Sequence, residues 1–159
     1  DTLTQGVKGA VPAVMLLALA YSINSLSKTM GTADYIISMS EGFLTPALLP
    51  AIIFVISAIM AFATGSSWGT FAICMPIALP LAFTFTGGEL GTLVYACFGA
   101  VAGGGVFGDH CSPLSDTTVL SSTGSASDHI DHVQTQLPYA LCCGALAIIV
   151  YLIIGFTSL

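Results

Sequence analysis

Long apolar runs alternate with short polar interruptions along this chain, and the ionisable groups gather at the interruptions. Residues 9–30 form a first apolar segment whose second half carries Ser22, Asn24, Ser25, Ser27 and Lys28, so a helix there turns polar or breaks partway. A loop over residues 31–42 holds Asp34 and Glu41 at or near a water interface. Residues 44–63 make a continuous spanning window, with Pro46 and Pro50 early, where a membrane helix tolerates them. The polar patch of residues 63–70 separates it from an apolar run over 71–85 that contains Pro76 and Pro80. A turn at residues 86–89 leads to the run 90–107, which places Ala96, Ala100 and Gly104 on one helical line and Gly99 and Gly103 on the next. Small residues four apart let helix backbones approach closely. The run Gly103-Gly104-Gly105 also disfavours helix, so this segment is expected to loosen just before Asp109. A Ser- and Gly-rich stretch over 119–127 and the sequence Asp128-His129-Ile130-Asp131-His132 lead to Pro138, and a last span covers 139–156. The pattern predicts four or five membrane segments, at least two of them interrupted.

Composition strengthens that reading. The chain is 55% hydrophobic and 6% charged, whereas a soluble domain is about 25% charged and needs that polar surface to cover its core. Several windows approach or exceed the roughly 18 residues that cross about 30 Å of hydrocarbon. The expected fold class is an all-α integral membrane protein, a polytopic helical bundle with interrupted helices, no soluble domain and membrane lipid as its first partner. The opening Asp1-Thr2-Leu3-Thr4-Gln5 lacks the basic start of a secretory signal. With a net charge of −6 and only Lys8 and Lys28 as strong bases, nucleic acid is not an expected partner, because phosphate neutralisation needs many Lys and Arg. Two lysines are too few to orient the chain by the positive-inside rule. The five cysteines show no CxxC spacing; Cys74, Cys97, Cys142 and Cys143 sit in apolar runs, where Cys acts as a small buried hydrophobe.

The candidate chemistry lies in Gly108-Asp109-His110-Cys111-Ser112-Pro113-Leu114-Ser115-Asp116-Thr117-Thr118. Ionisable groups at membrane depth cost roughly 2.5–3.5 kcal/mol each even on a mild insertion scale, so such a cluster points to an ion site. Interrupted helices expose carbonyls and helix ends that can hold Na⁺ or anionic groups near the bilayer midplane. A desolvated Asp has a raised pKa and His titrates near neutrality, so Asp109, His110 and Asp116 also offer a charge that can toggle with a proton. The competing reading is an exposed loop that caps helices, with Ser112-Pro113 as one cap and Ser115 or Asp116 as the next. Likewise, residues 63–70 read either as non-helical backbone lining a wet cavity or as an interfacial loop anchored by Trp68. His129 and His132, three apart, allow a transition-metal site, but a capped helix start at Ser127 and Asp128 on a wet membrane edge explains them better. A Ser-His-Asp hydrolase can be drawn from Ser112 or Ser115 with His110 and Asp109 or Asp116, but no GxSxG elbow accompanies it.

The cluster with its continuation to Gly124, and then Asp128-His129-Ile130-Asp131-His132-Val133, resembles the signature of NhaC-type sodium/proton antiporters. Ala63-Thr64-Gly65-Ser66-Ser67-Trp68-Gly69-Thr70-Phe71, ending at Met75-Pro76, is similar to that family's other recurrent stretch. The resemblance implies a multi-pass carrier of the cell (inner) membrane in the broader ion transporter superfamily, built from inverted repeats with re-entrant hairpins. Residues 1–159 would form one membrane transporter domain, the C-terminal portion of a longer antiporter and one repeat of it. The hairpin tip would fall at 64–70 and the broken helix at 109–118, and the remainder of the transporter or another copy would complete the site.

The expected function is exchange of Na⁺ for H⁺ by carboxylate-based competition and alternating access, with no enzymatic activity and no cofactor beyond the transported ions. Asp109 and Asp116 would be the carboxylates that compete for Na⁺ and H⁺, so that Asp116→Asn abolishes exchange. Thr64, Ser66, Ser67, Ser112 and Thr117 would supply oxygen ligands, and His110 would tune the pH response. One alternative is a Na⁺- or H⁺-coupled carrier of a small organic acid or amino acid. The other is a non-transporting membrane fragment or assembly subunit.

Overall fold

A computed structural model describes residues 45–157 continuously, with isolated positions among residues 4–35. Most of the predicted first segment, 9–30, and of the loop 31–42, including Asp34 and Glu41, lies outside the described residues. Five helices follow: α1 (Leu49–Thr64), α2 (Ser67–Phe85), α3 (Thr92–Cys111), α4 (Asp116–Gly124) and α5 (His129–Thr157). No strand occurs among the described residues. Three of the helices, α2, α3 and α5, are long and apolar enough to cross a membrane. The predicted window 44–63 is realised as a shorter helix, because turns at residues 46–48 delay its start. Its 16 residues rise about 24 Å.

The chain reverses between α1 and α2 across two residues. Gly65 ends α1 at φ 65° and its N–H donates to the Ala61 carbonyl. A side chain is rarely tolerated in that left-handed conformation. Ser66 then caps α2, its Oγ accepting from the Gly69 N–H at 3.2 Å. Contact between Met60 Sδ and Cys74 Sγ at 3.5 Å shows the two helices folded back on each other.

Helix α3 is the centre of the bundle and makes its most extensive contact with α1. The expected loosening at Gly103-Gly104-Gly105 does not occur, and α3 runs unbroken to Cys111. A Cβ at Gly104 would meet the Phe54 carbonyl oxygen and Ser57 Cβ, and one at Gly108 would meet the Ala58 carbonyl oxygen and the Phe62 nitrogen. The glycines therefore let α3 lie directly on the α1 backbone, and that packing outweighs their poor helix propensity. Leu49, Ile53, Phe54, Leu81, Val94 and Val101 form the core beside this seam. Phe54 also meets Phe107 and Tyr151, with ring centroids 5.9 and 5.4 Å apart, which ties α5 to the pair.

The last span is longer than predicted. α5 passes through Pro138 without ending and holds 29 residues, a rise of about 44 Å against a hydrocarbon core of about 30 Å. Asp128 caps it, Oδ1 accepting from the N–H groups of Ile130 and Asp131 at 2.9 and 3.1 Å. Its polar first two turns thus extend beyond the apolar stretch that begins near Pro138.

Candidate functional site

The two polar interruptions predicted from the sequence meet in space. A Cβ at Gly65 would lie 2.8 Å from the carbonyl carbon and oxygen of Leu114, so the α1–α2 turn rests directly on the loop between α3 and α4. Ser112 fastens the same junction from the other side. It is fully buried, donates to the Phe62 carbonyl at 2.7 Å and accepts from the Leu114 N–H at 3.1 Å.

Asp109 sits half-buried in the last turn of α3, and Oδ1 accepts from the Ser115 hydroxyl at 2.7 Å. Ser115 is fully buried and caps α4 through the Thr117 N–H at 3.2 Å. Its Oγ also lies 2.7 Å from Thr117 Oγ1. A carboxylate and two hydroxyls therefore form one connected chain at the N-terminus of α4. Asp116 stands outside that chain, exposed in the first turn of α4, where the helix dipole favours its negative charge. His110 is exposed, while its backbone carbonyl accepts from Thr118 Oγ1 at 3.2 Å and Gln136 Nε2 at 3.0 Å.

The hydroxyls of the first interruption have separate tasks. Thr64 is exposed and donates to the Met60 carbonyl at 2.8 Å, Ser66 caps α2, and Ser67 opens that helix half-buried. Trp68 is exposed and packs edge-on to Phe71.

His129 takes a role that sequence reasoning missed. Its Nε2 lies 2.9 Å from the Pro113 carbonyl, which can only accept, so Nε2 carries a proton; Nδ1 lies 3.1 Å from Ser122 Oγ. The ring thus pins the start of α5 and the end of α4 to the Ser112–Ser115 loop. Among the described residues no three His, Cys, Asp or Glu side chains gather as a metal site. Ser115 was foreseen as a cap or as a hydrolase nucleophile, not as a hydroxyl donating directly to Asp109, and that bond closes a loop of six residues that sequence spacing does not reveal. The contacts of His129 with Pro113 and of Gln136 with His110 set the whole cluster level with the polar end of α5, not with the middle of its apolar stretch.

The sequence model of the Na⁺/H⁺ antiporter family matches residues 1–156. The chain belongs to that family. Among its relatives is the arginine/ornithine antiporter ArcD of Halobacterium salinarum, 31% identical over 99% of this chain and 32% of that protein. The malate-2H⁺/Na⁺-lactate antiporter of Bacillus subtilis is 29% identical over 98% of this chain and 32% of its own. The Na⁺/H⁺ antiporter NhaC of Alkalihalophilus pseudofirmus is 27% identical with the same coverage, 98% and 32%. The NhaC resemblance read from the two motifs therefore holds along nearly the whole chain. The chain spans less than a third of the length of the curated relatives it matches. No solved structure matches it. Family membership agrees with the three helices that are long and apolar enough to cross a membrane.

Proposed function

We propose that the protein containing this chain exchanges Na⁺ for H⁺ across the cell (inner) membrane, with Asp109 as the carboxylate at which the two ions compete. The observation that carries this reading is the bond between the Ser115 hydroxyl and Asp109 Oδ1 at 2.7 Å, made where the two interruptions meet. A half-buried carboxylate held by a hydroxyl offers oxygen ligands to a hard cation when ionised and none of that attraction when protonated. Na⁺ and H⁺ then exclude one another from one site. Rigid-body movement of one repeat against another would alternate its exposure, with the α1–α2 turn acting as the tip of a re-entrant hairpin.

Asp116, exposed and one residue beyond the cap, is the second carboxylate of the site. In this reading Thr64, Ser66 and Ser67 would supply further oxygens from the turn that rests on the Leu114 backbone, and His110 would tune the pH response. The rest of the transporter, or another copy, would supply the remaining ligands.

The test is collapse of ΔpH in acidified everted vesicles on addition of NaCl, using the complete gene product. Asp109→Asn keeps an acceptor for Ser115 but cannot ionise, and we expect it to abolish the response while the protein remains inserted. Asp116→Asn is expected to reduce the response. Normal exchange by Asp109→Asn would sink the assignment. The names of the ArcD and malate/lactate relatives support a second reading, an organic acid or amino acid as cargo. An inserted protein that ignores Na⁺ but dissipates ΔpH with such a solute would establish it.

A further inference from the structure

We infer that Thr117 and Ser115 form the proton path between Asp109 and an open cavity beside the polar first turns of α5, an inference that rests on the exchange reading above. The cavity, of about 230 Å³, is lined by His110, Thr117, Thr118, Ser121, His132 and Gln136. Thr117 is the residue common to the cavity wall and the hydroxyl chain. Its surroundings draw on three helices: His110 from α3, Thr117 with Asp116 beside it from α4, and His132 from α5. Both imidazoles line the cavity, and a ring nitrogen of each can accept or donate a proton there.

Hydrogen-bond accounting fixes the direction of the chain. An ionised carboxylate only accepts, so the single Ser115 hydroxyl proton points to Asp109. Ser115 Oγ then accepts from both the Thr117 N–H and the Thr117 hydroxyl, which uses its two lone pairs. Both hydroxyl protons therefore point towards Asp109. A proton reaching Thr117 Oγ1 from the cavity displaces the Thr117 proton onto Ser115 Oγ, and the Ser115 proton moves onto Asp109 Oδ1. Neither hydroxyl keeps a charge, and Asp109 becomes a neutral acid.

The chain is then reversed. Asp109 O–H donates to Ser115, Ser115 donates to Thr117, and Thr117 donates into the cavity. Ser115 again makes every bond available to it, because the Thr117 N–H holds it in both states. The same three groups thus load Asp109 and, when Na⁺ arrives, carry the proton back out.

The experiment compares Thr117→Val, Thr117→Ala and Thr117→Ser in the complete gene product, reading maximal exchange rate and apparent KM for Na⁺ in everted vesicles. Removing the hydroxyl should lower the maximal rate by roughly tenfold or more, in keeping with the weight of a positioned proton-transfer group, with KM little changed. Thr117→Ser should restore most of that rate. Thr117→Ala carries the same test should the valine variant fail to insert. An unchanged rate in the hydroxyl-free variant overturns the path while leaving exchange standing. A raised KM at unchanged maximal rate also overturns it, and makes Thr117 a Na⁺ ligand instead. No Na⁺-driven response from the unsubstituted protein overturns the exchange reading and the path with it.

Discussion

Ser112 and Gly65 lie on opposite sides of one contact, and each holds it in a different way. Ser112 gives its proton to the Phe62 carbonyl and one lone pair to the Leu114 N–H, and so ties the end of α1 to the loop after α3. Ser112→Ala would remove both bonds, at about 1 kcal/mol, and should lower the thermal midpoint of the detergent-purified protein. Gly65→Ala should lower it further. A left-handed residue with a Cβ costs about 1–2 kcal/mol, and this Cβ would also strike the Leu114 backbone, which cannot rotate away. A wild-type midpoint in Gly65→Ala would mean that the two interruptions do not touch. The caps at Ser115 and Asp128 were legible in the sequence, because a short polar side chain ahead of a helix satisfies N–H groups only a few positions away. The Ser112–Phe62 bond was not, since its partners stand fifty positions apart.

At the scale of elements, the seam between α1 and α3 decides where Asp109 stands. The small-residue lines on 90–107 announced a close approach, and the structure supplies the partner: the α1 backbone from Phe54 to Phe62. The same glycines misled the reading of helix continuity, because propensity describes an isolated helix and not one pressed against a neighbour. Pro138 misled it similarly. α5 continues past that residue, so the polar first turns and the apolar span are one rod. Gly108→Ala would force α3 away from α1 immediately before Asp109. Loss of Na⁺-driven exchange in an inserted protein is the expected result. Gly124→Ala, whose Cβ would meet nothing within 4 Å, is the matched control and should be tolerated. Equal activity in the two variants would show that the seam does not position the carboxylate.

Among the described residues, the last helix leaves a long apolar surface uncovered. Leu146, Ile149, Val150, Ile153 and Phe156 of α5 are exposed, and so are Cys142 and Cys143, whereas Cys74, Cys97 and Cys111 are buried. In a membrane that surface meets lipid or other helices, so Cys142 and Cys143 should be hidden from water although they lie outside the core of the described residues. Intact vesicles treated with a membrane-impermeant maleimide should leave both unmodified. A lipid-permeable maleimide should modify those two and spare the buried three, a difference that mass spectrometry reads directly. Rapid modification of Cys142 or Cys143 by the impermeant reagent would place α5 against water and overturn this arrangement.

The sequence by itself determined the membrane class, the order of helices, the turn at residues 86–89, two of the caps and the family, because each follows from local composition, periodicity or contiguous motifs. It also marked Asp109 and Asp116 as candidates, since charge is scarce in this chain. Only the tertiary structure decided that the two interruptions touch, that Ser115 and Thr117 join Asp109 while Asp116 stands apart, and that His129 and Gln136 of the last helix bind the loop and the end of α3. Those contacts join residues far apart in the chain, and their geometry depends on how closely α3 can lie on α1. The small residues of 90–107 announce that close approach, but which backbone they meet, and therefore where Asp109 stands, is decided only by tertiary packing.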